Sequence, residues 1–195
     1  MGVMTERPVL MLPADRPMTV ADLDDTPDDG LRYELDDGVL VVSPAPMLIH
    51  QVVLVRLEVA LEAACTPEFM VAGAPGVEIS DIQYRIPDLT IVRSGSVAIT
   101  DRNVTLPPAL VVEIASPSTA RYDRNRKKVV YAEFRIPSYW IVVPDPERPS
   151  ITEFRLDGAA YAETVTATGR ERFTTDAPFP VEIVPADLVA GPWRR

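Results

Sequence analysis

The sequence has few of the features that mark secreted, zinc-binding and membrane proteins. It has a single cysteine, Cys65, which excludes a disulfide framework and a cysteine-rich zinc site. No apolar stretch approaches the length of a membrane span, and residues 1–17 carry acids and prolines where a signal peptide would have a basic start and an apolar core. We therefore expect a cytoplasmic protein.

Positive charge is also scarce. The chain has 19 Lys and Arg against 29 Asp and Glu, a formal net charge of −10. Because phosphate contacts need clustered basic side chains, this balance argues against broad, sequence-blind affinity for nucleic acid, and any polyanion must bind to a local patch. The only two lysines, Lys127 and Lys128, are adjacent. The only histidine, His50, lies in the first turn of a predicted helix, where a lone histidine is more often structural than catalytic.

Length and composition favour one domain. A chain of 195 residues, 47% of them hydrophobic, can bury a sizeable core. We expect residues 1–17 to form a flexible arm, residues 18–190 to form a single domain and residues 191–195 to form a tail.

Hydrophobic periodicity within that domain predicts both strands and helices. The Asp-Gly pairs at positions 37–38 and 157–158 each separate two β-type runs, which predicts two β-hairpins. Apolar residues recur at helical spacing over about 46–64, which predicts the longest helix of the N-terminal half. The other predicted elements are a short helix opened by Thr19, strands at 69–72, 77–79, 138–143 and 181–184, a polar loop over 94–108 and a closing helix at 185–189.

The rest of the chain is organised around residues 109–134, ALVVEIASPSTARYDRNRKKVVYAEF, which predict a buried strand, a capped turn and a helix. Residues 110–115 are almost continuously apolar and rich in β-branched side chains, as is typical of a central strand covered on both faces. Glu113 interrupts this run. Because an unpaired ionised carboxylate in apolar surroundings is costly, Glu113 must be paired with a cation, bound to a metal or protonated. The alternative is a strand-end glutamate that faces solvent.

The helix that follows has two charged faces. At about 100° per residue, Lys127 shares a face with residues that must be buried, so it points toward the strand of Glu113, and Lys128 stays on an outer basic face. If nucleic acid is the substrate, we expect this outer face to hold it in part. The alternative for Lys127 is an ordinary i,i+4 ion pair with Asp123. The inward face comprises Asp123, Lys127, Val130, Tyr131 and Phe134, and the outer face comprises Arg121, Arg124, Lys128 and Arg135.

Two further acids lie in predicted strands. Asp88 follows a proline where the apolar run of RIPDLTIV begins, and Glu34 lies in the first strand of the N-terminal hairpin. The plain alternatives are a turn aspartate for Asp88 and a solvent-facing strand residue beside Arg32 for Glu34. Asp88, Glu113 and Lys127 would bring two hard oxygen ligands and one ammonium to one end of adjacent strands, which suits Mg²⁺. Such a metal acidifies water and stabilises charge on a phosphate.

Several short motifs together resemble the restriction endonuclease family often called Uma-two, within the PD-(D/E)xK nuclease superfamily. They are YELDDG, IPDL, VVEIASPST, SYWIV and the spacing of Asp123, Lys127 and Tyr131, and the resemblance runs from about Thr19 to Leu188. It implies an α/β (α+β) restriction-endonuclease-like fold, in which helices flank a mixed central β-sheet. It also implies metal-dependent hydrolysis of phosphodiester bonds.

The resemblance also implies roles for individual residues. Asp88 and Glu113 would be the ligands of Mg²⁺ or Mn²⁺, with the backbone carbonyl of Ile114 nearby. The superfamily pattern has a lysine two residues after this glutamate, where the chain has Ala115, and in this family the lysine has moved to the position of Lys127 on the next helix. The catalytic residues implied by similarity are Asp88, Glu113, Lys127, Glu34 and His50.

The leading hypothesis is a magnesium-dependent endonuclease with DNA as substrate. We expect a homodimer, because two symmetric sites cut both strands of a duplex most simply. One rival is a catalytically silent interaction module that keeps the fold. Another is a hydrolase of a smaller phosphoester, which the acidic composition suits better than long DNA.

Overall fold

The structure is a computed structural model that describes residues 12–98, 101–115 and 122–192, with the backbone alone in residues 122–124. In chain order its elements are a 3-10 helix (Val20–Asp25), β1 (Arg32–Asp36), β2 (Val39–Ser43), α1 (Leu48–Ala64), β3 (Phe69–Gly73), β4 (Gly76–Ser80), β5 (Gln83–Arg85), β6 (Leu89–Arg93), β7 (Asn103–Val104), β8 (Leu110–Ile114), α2 (Tyr122–Glu133), β9 (Ser138–Val143), β10 (Ser150–Asp157), β11 (Ala160–Thr168), β12 (Phe173–Thr175), β13 (Val181–Ile183) and α3 (Pro185–Val189).

A six-stranded mixed sheet carries most of the core. Its strands lie in the order β11-β10-β9-β8-β6-β3. The central strands β8 and β9 are parallel, and the other neighbours in this sheet are antiparallel. Helix α2 lies in the connection between β8 and β9, because parallel neighbours need a long crossover.

Helices cover both faces of this sheet. Val112 of β8 lies in the same buried cluster as Leu57 of α1, whereas Val111 packs with Tyr131 of α2 on the opposite face. Because successive side chains of a strand point to opposite faces, Glu113 shares the α2 face with Val111. Strand β8 is covered on both faces, as its apolar sequence predicted. Its one acid, Glu113, faces the helix that carries Lys127.

A five-stranded sheet packs against the first. Its order is β2-β1-β5-β4-β7, and Val77 of β4 shares a buried cluster with Val92 of β6. The β1–β2 hairpin turns at Asp37 and Gly38, whose φ angles of 51° and 76° match the left-handed positions of a type I′ turn. The chain passes from the smaller sheet to the larger one through the short link 86–88, between β5 and β6.

The predicted α/β (α+β) fold with two hairpins is confirmed, with corrections in detail. Strands β5, β7 and β12 were not predicted, and β7 lies inside the stretch 94–108 that was expected to be a polar loop. These strands have two or three residues, too few for a period of two to be visible in the sequence. Helix α2 ends at Glu133, and Arg135 has a positive φ of 63° beyond it, so Arg135 does not continue the outer helical face.

Some expectations stay predictions. The division into arm, domain and tail is one of them, and residues 1–11 and 193–195 lie outside the described part of the chain. The capped turn at 116–119 and the side chains of Arg121, Asp123 and Arg124 also lie outside it. Within the described residues, no helix is long and apolar enough to cross a membrane.

Candidate active site

One face of strand β1 is charged, and it faces the predicted site. Arg32, Glu34 and Asp36 occupy alternate positions, so their side chains point the same way. Leu35 points the other way and is fully buried in an apolar cluster. Glu34 is only 5% exposed, so the alternative of a solvent-facing strand residue is wrong.

Asp88 lies in the link between the two sheets and is 2% exposed. Its Oδ2 accepts hydrogen bonds from the Ile114 backbone N–H at 2.8 Å and from His50 Nε2 at 3.0 Å. Its Oδ1 accepts from Arg32 Nη1 at 2.6 Å. The β6–β8 register pairs Leu89 with Val112, and one further step along these antiparallel strands sets Asp88 opposite Glu113.

Glu113 is held by two side chains of α2. Its Oε1 accepts hydrogen bonds from Lys127 Nζ at 2.9 Å and from the Tyr131 hydroxyl at 2.7 Å. Lys127 is 8% exposed, and its Nζ also lies 3.8 Å from Oε1 of Glu34. The i,i+4 spacing of Lys127 and Tyr131 places both groups on one side of the helix, which is the inward face predicted from the sequence. Glu113 is thus paired with a cation, which is one of the three possibilities that its burial leaves open.

Glu34 fixes the link from the other side. Its Oε1 accepts a hydrogen bond from the Ile86 backbone N–H at 2.7 Å, and Arg85 lies 4.0 Å from its Oε2. Two residues further along β1, Asp36 pairs with Arg85 at 2.7 Å and accepts from Arg126 Nε at 3.0 Å. The charged face of β1 thus binds the link and helix α2 in one network.

Burial and like charges perturb the carboxylates. Burial has the largest effect on Glu113; the Lys127 ammonium opposes it and the charges of Asp88 and Glu34 reinforce it, so that the pKa of Glu113 rises from 4.5 to about 7. Burial also raises the pKa of Asp88, but hydrogen bonds from His50, Arg32 and the Ile114 N–H outweigh burial and bring it below 3.8. Asp88 therefore stays ionised at neutral pH, whereas Glu113 titrates near neutral pH.

The Tyr131 hydroxyl is a fixed hydrogen-bond donor. Burial first, and then the negative charge of Glu113, raise the pKa of Tyr131 well above its ordinary value of 10, so the hydroxyl keeps its proton. The ring is fully buried and packs edge-on against Tyr139, with 5.4 Å between ring centroids. Tyr131 consequently sets the direction of the Glu113 carboxylate.

His50 is buried beside Asp88. Because an ionised carboxylate can only accept, His50 Nε2 carries the hydrogen in their contact. Its Nδ1 is buried and has no hydrogen-bond partner within the described residues. His50 lies in the first turn of α1, and the structure brings it together with Asp88.

The predicted nucleic-acid face is only partly described. Lys128 Nζ lies over the ring of Phe154, 3.3 Å from its centroid, so the side chain folds onto the protein instead of standing out into solvent. Arg135 lies beyond the helix and donates a hydrogen bond to the carbonyl of Gly158 in the β10–β11 turn. The role of this face in binding stays a prediction.

Three residues of the site were missed as site residues at the level of sequence. Arg32 and Asp36 stand two positions on either side of Glu34, and the alternation of β1 would have placed them on its face. Helical spacing placed Tyr131 on the inward face, but the sequence assigned no partner to its hydroxyl. Burial of a charged strand face cannot be recognised from a short hairpin sequence alone, because the covering helix lies some ninety positions away in the chain.

The donor set of the site fits a magnesium ion. Within the described residues, no three His, Cys, Asp or Glu side chains form a ready-made metal cluster. Mg²⁺ does not need one, since it is usually bound through one or two carboxylates and keeps several waters. The chain offers the hard oxygens of Asp88 and Glu113, and a bound cation would oppose the burial and the charges of Asp88 and Glu34 that raise the pKa of Glu113.

Comparison with known proteins identifies first the class and then the family. The fold is of the restriction-endonuclease-like class. A family model, Uma2, described as "Putative restriction endonuclease", matches residues 20–188. The chain belongs to this family, the one that its motifs resemble.

A solved structure supports the fold. It is the crystal structure of a protein from Anabaena variabilis described as a "putative nuclease", with a TM-score of 0.69 and 14% sequence identity. The superposition covers 89% of this chain and 98% of that one. No curated protein matches the chain significantly.

Proposed function

We propose that this protein is a metal-dependent phosphodiester hydrolase, an endonuclease with DNA as its substrate. One observation carries the proposal. The ammonium of Lys127 lies 2.9 Å from Glu113 and 3.8 Å from Glu34, inside a buried cluster in which the charge of Asp88 also acts on Glu113. Burying so many charges is costly for stability alone. Membership of the nuclease family supports the same conclusion.

In this proposal each residue has a defined task. Asp88 and Glu113 would hold Mg²⁺ or Mn²⁺, which supplies a water of lowered pKa and stabilises charge on the phosphate. Lys127 is a compact cation that stabilises charge developing on the scissile phosphate. Glu34 keeps Lys127 in place and secures the link at the Ile86 N–H.

Two other residues would support these groups. Tyr131 orients the Glu113 carboxylate through its hydroxyl. His50 holds Asp88 by its Nε2.

We further propose that the enzyme acts as a homodimer, because two symmetric sites cut both strands of a duplex most simply. The mass of the protein in solution, measured by light scattering after gel filtration, tests this directly. A monomeric mass at assay concentrations would contradict the dimer and leave the chemistry of a single site untouched.

A smaller phosphoester is the second candidate substrate. The net charge of −10 favours it, since an acidic protein repels long polyanions. The chemistry of the site would be unchanged. Hydrolysis of bis(p-nitrophenyl) phosphate without any cleavage of plasmid or oligonucleotide DNA would favour this substrate class.

Cleavage of plasmid DNA tests the main proposal. We expect nicking in Mg²⁺ or Mn²⁺, none in EDTA, and none with Asp88→Asn or Glu113→Gln. Calorimetric titration with Mn²⁺ should show binding to the wild type that both variants lose. The control is Glu182→Gln, an acid of β13 whose side chain is 49% exposed and pairs with Arg172. Equal Mn²⁺ affinity in the wild type and Glu113→Gln would end the proposal.

A further inference from the structure

Among the hydrogen bonds that Asp88 accepts, the one from Arg32 is the shortest. Its Nη1 lies 2.6 Å from Oδ1 of that carboxylate. The Asp88 side chain is 3% exposed, whereas that of Arg32 is 26% exposed. The pair therefore joins a fixed, buried anion to a cation that reaches in from the surface side.

The two oxygens of Asp88 differ in the number of their hydrogen-bond donors. Oδ2 already accepts from the Ile114 N–H and from His50 Nε2. Both donors belong to packed elements, because Ile114 lies in β8 and His50 in the first turn of α1. Oδ1 has Arg32 as its partner among the described residues. A metal ion that binds Asp88 must approach this oxygen.

Arg32 and a divalent cation compete for that oxygen. Two positive charges on one carboxylate oxygen repel each other, and a guanidinium cannot lose its proton to reduce the repulsion. Arg32 is also able to move. It is the first residue of β1, and its neighbour Leu31 is exposed. A rotation of its side chain toward solvent breaks no backbone pairing.

We propose that Arg32 is a displaceable cation, which pairs with Asp88 in the metal-free protein, yields that carboxylate to a divalent ion, and then binds a phosphate of the substrate. The second step follows from the shape of the group. A released guanidinium at the edge of the site offers a planar fork that matches two phosphate oxygens. The inference rests on the proposed function, because it needs a metal that binds to Asp88.

The first experiment measures Mn²⁺ affinity by calorimetry in the absence of substrate. Removing the competitor with Arg32→Ala should tighten binding about tenfold, the effect of one charge-assisted hydrogen bond. Arg32→Gln, which keeps the side-chain length without the charge, should do the same and guards against a folding defect of the alanine variant. The control is Arg102→Ala, because the Arg102 side chain is 72% exposed and pairs with Asp24; this substitution should leave the affinity unchanged.

The possible outcomes separate the two proposals. Wild-type protein that binds Mn²⁺ while Arg32→Ala and Arg32→Gln bind it equally or more weakly overturns the displacement and leaves the proposed function standing. If neither the wild type nor the two Arg32 variants bind Mn²⁺, both the displacement and the proposed function are overturned.

The second experiment tests the contact with substrate. Anisotropy of a labelled duplex is measured in Ca²⁺, a divalent cation that takes oxygen ligands, and again in EDTA. Arg32→Ala should weaken binding about tenfold in Ca²⁺ and leave it unchanged in EDTA, where the wild-type guanidinium is held by Asp88. An equal effect in both conditions, including no effect in either, overturns the contact.

Discussion

At the scale of single residues, the two adjacent lysines have the same side chain but differ in their surroundings. Lys127 is 8% exposed and lies between Glu113 and Glu34. Lys128 lies on the aromatic face of Phe154. One turn step of about 100° produces this difference. Helix geometry therefore separates a group in the site from one that packs on the protein surface.

This separation predicts opposite outcomes for two alanine variants. Lys127→Ala should lower the cleavage rate by two to three decades, because an interaction made mainly in the transition state is worth about 3 to 4 kcal/mol. Lys127→Arg should not restore the rate, since a planar fork does not replace a point charge. Lys128→Ala should keep turnover and lose about 0.5 to 1 kcal/mol of stability with its aromatic contact. Steady-state cleavage and urea unfolding measure both effects, and the reverse ranking would contradict the assignment of Lys127.

Glu113 gives a prediction for stability against pH in EDTA. Its pKa is about 7 in the folded protein and about 4.5 when unfolded, so between these values the folded state binds the extra proton. Its contribution to the free energy of unfolding should be greatest below pH 4.5 and fall by about 3 kcal/mol as the pH rises to 7. The difference between wild type and Glu113→Gln, measured by urea unfolding across this range, isolates the effect. A difference that is constant with pH would contradict the raised pKa.

The residues of the site could be foreseen where one element holds the information. The burial of Glu113 follows from its apolar neighbours, and the direction of Lys127 follows from helical spacing. The roles of Arg32 and Asp36 could not be foreseen, because their partners Asp88 and Arg126 come from elements distant in sequence. Long-range pairing of charges leaves no local pattern.

At the scale of elements, helix α2 is tied to the β1–β2 hairpin immediately beside Lys127. Arg126 donates to Asp36 through Nε at 3.0 Å and also pairs with Asp37 in the turn. Asp36 in turn pairs with Arg85 of β5. The helix position that precedes Lys127 is thereby fixed to the sheet that carries Glu34.

Breaking this tie should affect catalysis through position. We expect Arg126→Ala to lower kcat about tenfold with little change in KM, because small displacements of an aligned group are costly in rate. Hydrogen exchange should show weaker protection of the α2 amides. The control is Arg172→Ala, which removes an exposed pair with Glu182. Unchanged kcat together with weaker protection would make the tie purely structural.

The pairing of elements explains which parts of the fold were predictable. The helices and longer strands have a visible period, and Asp-Gly marks both hairpin turns. Strands β5, β7 and β12 depend on the hydrogen-bonding edges of partner strands, since β5 pairs with β1 and β4, β7 with β4, and β12 with β13. The assignment of strands to two sheets is likewise a property of the folded molecule.

At the scale of the whole molecule, the net charge of −10 opposes DNA, so the proposed DNA binding would depend on local basic groups. We expect Arg124→Gln and Lys128→Gln each to weaken DNA binding uniformly across sequences and to lower the salt slope of log affinity by about one unit. Titrations of a labelled duplex at several salt concentrations measure this. A slope that is unchanged after both substitutions would assign this face to solvent or to a protein partner.

The division of the site between two sheets has a consequence for how the protein is made. Arg32 and Glu34 belong to the smaller sheet, Glu113 belongs to the larger one, and Lys127 arrives later on α2. While the chain is still emerging from the ribosome, its N-terminal part contains acids but no assembled centre. The centre forms only after α2 has been synthesised and the sheets have docked. The residues to which the proposed hydrolysis is assigned therefore come together only in the completed fold.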